Sequence, residues 1–297
     1  MVAESQWTAG RLDRDTGKKQ VLFGRVYEDA AIESSVFAPG TRIFCIASAG
    51  CTAIRLSVNR DVTAVDINPV QLDYARRRAG GAPMQEGVAE MRMAFARRFL
   101  PLVGWTPGRI EVFLGLEDPV WQLHFWNDYL NTRRMQWALD ALLSTRSLQA
   151  GYQSSLLHAL PAHFGAVLRS RLERGWASHS NRENIYARAL LSGDAPPVVT
   201  DAKSRPISFI CADAAQYLEM CPAGSFDGFA LSNILDGCSP PYRERLKAAV
   251  RHAGSKGSIL VRRSFSEPDS TVKENLAERD RSLLWGVVEV LPTDRAQ

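Results

Sequence analysis

The sequence predicts an α/β protein whose core is a mostly parallel, doubly wound sheet interrupted by a large helical insertion. Three observations carry this prediction. Apolar runs of strand length alternate with helical patterns from Thr41 to Gly80. The same alternation resumes at Pro206, and the stretch between is helical in period with no convincing strand.

Taken in order, Ile43–Ala47 reads as a buried strand, Thr52–Asn59 as a short helix and Val62–Asp66 as a second strand. The next segment, D-I-N-P-V-Q-L-D-Y-A-R-R-R-A-G-G, reads as a helix. Asn68 is a natural N-cap, Pro69 suits the first helical position, and Gly80 can close the helix at its C-terminus. From about Met84 to Thr200 the runs M-R-M-A-F-A-R-R-F-L, W-N-D-Y-L-N-T-R-R-M-Q-W-A-L-D-A-L-L and Phe164–Trp176 are helical. After Pro206, I-S-F-I-C-A-D is a strand and A-A-Q-Y-L-E-M a helix. F-D-G-F-A-L-S-N-I-L-D is a strand running into a loop, and P-P-Y-R-E-R-L-K-A-A-V-R-H a helix opening on prolines. G-S-I-L-V-R-R-S-F is a strand, and S-L-L-W-G-V-V-E-V-L a final extended run suited to an antiparallel edge. The implied organisation is an N-terminal segment with the first half of the α/β domain at 1–83, a helical insertion at 84–200, and the second half at 201–297. Residues 1–20 are polar and read as frayed or draped over the body.

Composition narrows the function classes. The 297 residues are 45% hydrophobic and 23% charged, with a net charge of +4 scattered along the chain, which favours a mixed surface over a nucleic-acid partner. The five cysteines contain no C-x-x-C, and His124, His158, His163 and His179 have no ligand spacing, so no metal is expected. The first residues lack the apolar core of a signal peptide, and no uncharged apolar run reaches about 18 residues. The expectation is a cytoplasmic protein with no membrane span. The basic, amphipathic run M-R-M-A-F-A-R-R-F-L-P-L-V-G-W is expected to pack on the domain by its apolar face.

In open α/β sheets ligands lie beyond the carboxyl ends of the strands. The first strand offers Ser48, Ala49, Gly50 and Cys51 there, and the second offers Asp66. The third offers Asp213, and the fourth Ser232, Asn233 and Asp236. An acid ending strand two accepts bonds from ribose hydroxyls, and an acid past strand three followed by small residues suits an adenine amine. Ile67 and Ala214, beside those acids, complete the expected donor site. The turn A-S-A-G-C holds one glycine, where a pyrophosphate fingerprint holds three and a triphosphate loop adds G-K-[ST]. That turn suits an uncharged ribose or an amino-acid tail, which points to S-adenosylmethionine rather than NAD or ATP.

Four blocks, F-G-R-V-Y-E-D (23–29), I-A-S-A-G-C (46–51), A-V-D-I-N-P-V-Q (64–71) and L-S-N-I-L-D (231–236), resemble the betaine-lipid synthase family. The likeness covers both halves of the α/β domain and fades through the insertion. The family block carries Trp where this chain has Tyr27, and often Pro where it has Ala30. The resemblance implies a Rossmann-like transferase fold and transfer of the 3-amino-3-carboxypropyl group of S-adenosylmethionine to an acceptor oxygen, releasing methylthioadenosine. Compactness favours a soluble small-molecule acceptor, such as the phenol of a nocardicin-type β-lactam, over a diacylglycerol-like hydroxyl. The rival readings are an O-methyltransferase and a non-catalytic nucleoside-binding module.

Choice of the Cγ carbon is a matter of positioning, and the thioether leaves without protonation. The protein therefore has to fold the methionine arm and help ionise the acceptor. Glu28, Asp29 and Asp236 are the expected acid/base residues or partners of the donor ammonium. Tyr27, Arg25 and Arg263 are candidates at the donor carboxylate, and Ser232 is where the acceptor is expected. The aromatic residues of the insertion (Trp105, Trp121, Phe125, Trp126, Tyr129, Trp137) are expected to cover the site.

Overall fold

In a computed structural model, residues 19–151, 157, 159–194 and 204–295 are described. Residues 1–18 and His158 lie outside them.

The sheet has six strands in the order β3-β2-β1-β4-β5-β6. They are β1 (Arg42–Ile46), β2 (Asp61–Asp66), β3 (Ser208–Cys211), β4 (Phe226–Ala230), β5 (Gly254–Ser264) and β6 (Val287–Pro292). All neighbours are parallel except β5 and β6, which pair antiparallel as the sequence predicts for the last run. Strand order reverses between β1 and β4, which creates the switch point where open sheets bind ligands.

Alternation along β1 sends Ile43 and Cys45 to one face and Phe44 to the other. The first face is covered by α1 (Ala31–Val36), α2 (Cys51–Leu56) and α3 (Pro69–Ala79), with Phe37, Leu56, Leu72 and Ala75 in its core. The second is covered by α11 (Ala214–Met220) and α12 (Pro240–Ala253), packed around Phe44, Phe229, Leu218 and Leu246. The cap of α3 forms as expected: Asn68 Oδ1 accepts from Val70 N at 3.1 Å, with Pro69 in the first turn. Gly80 closes the far end of the helix as expected, its N–H donating to Arg76 O at 3.1 Å, although it is Gly81, at φ +90°, that takes the left-handed conformation.

The described part of the insertion is helical: α4 (Val88–Arg97), α5 (Pro107–Leu114), α6 (Pro119–Phe125), α7 (Arg133–Leu142), α8 (Thr145–Gly151), α9 (Phe164–Ser178) and α10 (Ile185–Leu191). The long run around Trp126 is not one helix. A π segment, Trp126–Leu130, ends α6, and the Thr132 side chain caps a new start at α7. The insertion has its own core, in which Trp105, Phe113, Trp126 and Trp176 meet at ring distances of 5.1–6.5 Å.

Helix α4 departs from expectation. Met91 (50% exposed) and Phe95 (61%) face outward, as do Phe99 (50%) and Leu102 (73%) just beyond the helix, and the buried residue of the helix is Glu90. Glu90 turns inward because it accepts backbone N–H bonds from Gly24 (2.7 Å), Gly87 (2.9 Å) and Arg25 (3.2 Å). Three donors offset the desolvation that would otherwise keep a carboxylate in water. Among the described residues no helix is long and apolar enough to cross a membrane.

Candidate active site

A cleft of about 1340 Å³ opens beyond the carboxyl ends of the strands. Its floor includes Ser48 after β1, Asp66 ending β2, Asp213 after β3, Ser232 after β4 and Ser264 ending β5. The volume exceeds the roughly 300–1,000 Å³ of ordinary ligand sites and leaves room for a nucleoside and a second molecule.

Asp66 is fixed from the protein side. Its Oδ2 accepts from Ser48 N at 3.0 Å and its Oδ1 from Asn68 N at 2.9 Å. Burial pushes its pKa up to about 6, with the N–H groups of Asn68, Ser48 and Ile67 opposing that rise. The first bond links the β1 turn to the β2 acid and holds Ser48 at φ +44°, a left-handed conformation unusual for serine.

The rest of the turn faces elsewhere. Ala49 is fully buried and its carbonyl accepts from Arg78 Nη1 at 3.0 Å. Gly50 has φ +81°, and a Cβ there would sit 3.2 Å from Ala75 Cβ. The one glycine of A-S-A-G-C therefore serves the left-handed backbone and the approach of α3. Of the three turn residues expected at the donor, Ser48 lines the cleft while Ala49 and Gly50 lie behind it.

Asp213 has a double structural duty. It caps α11 through Gln216 N at 2.9 Å, and its Oδ2 accepts from Tyr242 Oη at 2.7 Å. Ala214 and Ile67 line the cleft beside the two acids. Asp236 also lines it, buried and tied to the end of β5: Ser264 Oγ donates at 2.7 Å and Phe265 N at 2.9 Å. Burial raises its pKa, and these donors oppose the rise.

The four quoted sequence blocks meet here. Gln71 binds the backbone of the 22–23 strap in both directions, accepting from Leu22 N at 2.8 Å and donating to Phe23 O at 2.9 Å. Leu22 and Phe23 thereby join the cleft wall. Gly24 is needed for this strap, since a Cβ would lie 2.0 Å from Gln85 O. Farther along, Glu28 reaches Ser232: the serine Oγ donates to Glu28 Oε1. Ser232 has φ +54°, and its carbonyl accepts from Arg263 N at 2.8 Å.

Arg263, a sequence candidate for the donor carboxylate, borders the cleft but is 1% exposed, and its guanidinium is already engaged by protein groups. Its Nη1 and Nη2 grip Glu33, its Nε donates to Asp280 Oδ2 at 2.8 Å, and Nη2 also reaches Asp29 O at 3.1 Å. Glu28 stands 3.6 Å away as a third carboxylate. Burial first, then the charges of Glu33 and Asp280, push the Glu28 pKa up to about 7 against the pull of Arg263 and the Ser232 bond.

Asp29 and Tyr27 lie off the cleft. Asp29 is 2% exposed and held by the Arg281 fork and by Ala31 N at 3.1 Å. Burial favours its protonation, yet the Arg281 and Ala31 bonds hold its pKa below the usual range. Tyr27 is half-buried, with Trp285 Nε1 donating to its carbonyl at 3.0 Å; burial raises its hydroxyl pKa. Arg25 is 3% exposed, with Nη2 at 3.6 Å from Met84 Sδ.

Of the described insertion residues, Ala159 lines the cleft. Trp105 and Trp126 are core, Phe125 packs against that core, and Trp121 (65% exposed), Tyr129 (46%) and Trp137 (76%) face solvent. The described aromatic residues thus do not roof the cleft. Sequence reading missed Glu33, Asp280, Tyr242 and Ser264. A signal existed for Arg263: alternation in I-L-V-R-R-S sends Arg262 and Arg263 to opposite faces, so one of them turns inward.

Comparison of the chain with protein-family models, curated proteins and solved structures finds no match.

Proposed function

We propose that this chain is a cytoplasmic S-adenosylmethionine-dependent 3-amino-3-carboxypropyltransferase acting on the phenolic oxygen of a small-molecule acceptor of the nocardicin type. The observation that carries the reading is the Ser48–Asp66 junction at the sheet's switch point. There an acid stands where ribose hydroxyls are met, beside a turn whose single glycine serves helix packing rather than a phosphate.

On this reading Asp66 accepts from the ribose, and Ile67, Asp213 and Ala214 border the adenine. Asp213 spends lone pairs on Tyr242 and Gln216, and each carboxylate oxygen keeps one for an amine. Ser48 runs beside the methionine arm, and Ser232 meets the acceptor. The donor supplies an activated carbon next to sulfonium, and the protein supplies alignment. The acceptor oxygen must stand roughly 3–3.5 Å from Cγ and in line with the Cγ–S bond. The wide cleft, running past Ser232 to the β5 end, has space for that acceptor.

Incubation with S-adenosylmethionine and a nocardicin-type phenol, followed by mass spectrometry, tests the proposal. It predicts a product heavier by one aminocarboxypropyl group. A methylated product would assign an O-methyltransferase, and donor binding without product across phenol and diacylglycerol acceptors would assign a nucleoside-binding module.

A further inference from the structure

The Arg263 cluster contains one carboxylate more than its architecture uses. The guanidinium is satisfied by a two-pronged grip on Glu33, a 2.8 Å bond to Asp280 and the Asp29 carbonyl. Glu33 and Asp280 already outnumber the cation. Glu28 nonetheless sits in the same dry space at 6% exposure, 3.6 Å from Nη1, and turns its other oxygen to Ser232. Ser232 is at once the partner of this surplus acid and part of the cleft floor, in a backbone conformation that serine rarely adopts. Strained backbone held in place by its surroundings is a feature of working sites.

The geometry points to a two-member proton path from the cleft to the interior, in which Ser232 Oγ takes the acceptor's hydroxyl proton while passing its own to Glu28 Oε1. This rests on the transfer reading above. As the acceptor O–Cγ bond forms, the Cγ–S bond breaks and its electron pair stays on sulfur, giving a neutral thioether. The acceptor proton moves to Ser232 and the serine proton to the Glu28 carboxylate, so no further reactant is needed. Ser232 touches the acceptor, and Glu28 acts through it as a positioning and proton-holding residue.

The charged and titratable groups facing Glu28 are known from each element around it. They are Arg263 from β5, Glu33 from α1, Asp280 from the segment before β6, and the buried Cys45 thiol from β1. Burial and the two like charges raise the Glu28 pKa to about 7, against Arg263 and Ser232. A base of this strength is poised for neutral pH, where its ionised form is present and its affinity for a phenol proton is highest.

The test is single-turnover aminocarboxypropyl transfer at saturating donor, followed from pH 5.5 to 9 (roughly the span over which such a base titrates), in the unmodified protein, Glu28→Gln and Ser232→Gly. The unmodified rate should rise with pH through about 7 and then level. Both variants should lose that limb and fall about 100-fold or more at neutral pH. Donor affinity should stay within about threefold, because neither side chain faces the ribose acid. Glycine suits the left-handed φ at 232, so Ser232→Gly leaves the Arg263 cluster and the backbone in place even if Glu28→Gln disturbs folding. A fluorinated phenol, more acidic than the parent, should narrow the variants' deficit, which a purely structural role would not produce. Should the unmodified protein make the product while both variants keep the limb and the rate, the path is wrong and the transferase reading stands. If it makes no aminocarboxypropyl product at all, the reading fails and the path with it.

Discussion

Asp66 illustrates how a residue can be structural and receptive at once. Backbone N–H groups of Ser48 and Asn68 fix its carboxylate at the edge of the cleft. Asp66→Ala should weaken S-adenosylmethionine binding about 10- to 100-fold, as expected for losing a charge-assisted pair of bonds, and leave acceptor affinity nearly unchanged. Titration calorimetry of each ligand checks this, and equal loss of both would count against the ribose assignment. The pH sign follows from the raised pKa: the carboxylate is the accepting form, so donor affinity should fall as pH drops through about 6. Asp29 gives the opposite case. Its depressed pKa contributes stability that is present above the ordinary carboxylate range and lost as pH falls through the folded value. Asp29→Asn should cost about 2 kcal/mol in denaturant unfolding, less than a fully buried pair because Arg281 remains in contact with water. Donor affinity should not follow that loss, since Asp29 lies off the cleft.

At the scale of elements, the β1 turn and α3 form one unit. Gly50→Ala would force a left-handed alanine and press its Cβ to 3.2 Å from Ala75 Cβ. A cost of about 1–3 kcal/mol is expected, read as a lower unfolding midpoint at unchanged slope. The elements themselves were legible in the sequence wherever local chemistry decides them. The Asn68-Pro69 start, the exact run of α11 and the antiparallel edge strand all follow from caps, periodicity and turn residues. What failed depended on distant partners. The apolar face of α4 is expected inward, but the strap at 24–25 presents N–H groups that Glu90 accepts, and Glu90 is the residue the helix buries. The Tyr242 hydroxyl that also binds Asp213 lies 29 positions along the chain and gives no local sign of that bond. Arg263 reads as a cation free for the donor carboxylate because the three carboxylates around it come from separate segments.

Across the whole molecule, the sheet and the insertion keep separate cores joined at a few points such as Leu283, which packs with Trp176 and Leu172. Trp176→Ala should destabilise the protein by about 3–5 kcal/mol, the usual cost of emptying a tryptophan site. Below its melting temperature the variant should still bind S-adenosylmethionine, because the described cleft wall around Asp66 comes from the sheet and its strap. Loss of donor affinity in a folded Trp176→Ala protein would instead make the insertion part of the donor site. Which carbon of the sulfonium is attacked is reported directly by the nucleoside by-product. Chromatography of the spent reaction with a nocardicin-type phenol should show methylthioadenosine formed in step with the modified acceptor. Accumulation of S-adenosylhomocysteine in its place would contradict the account.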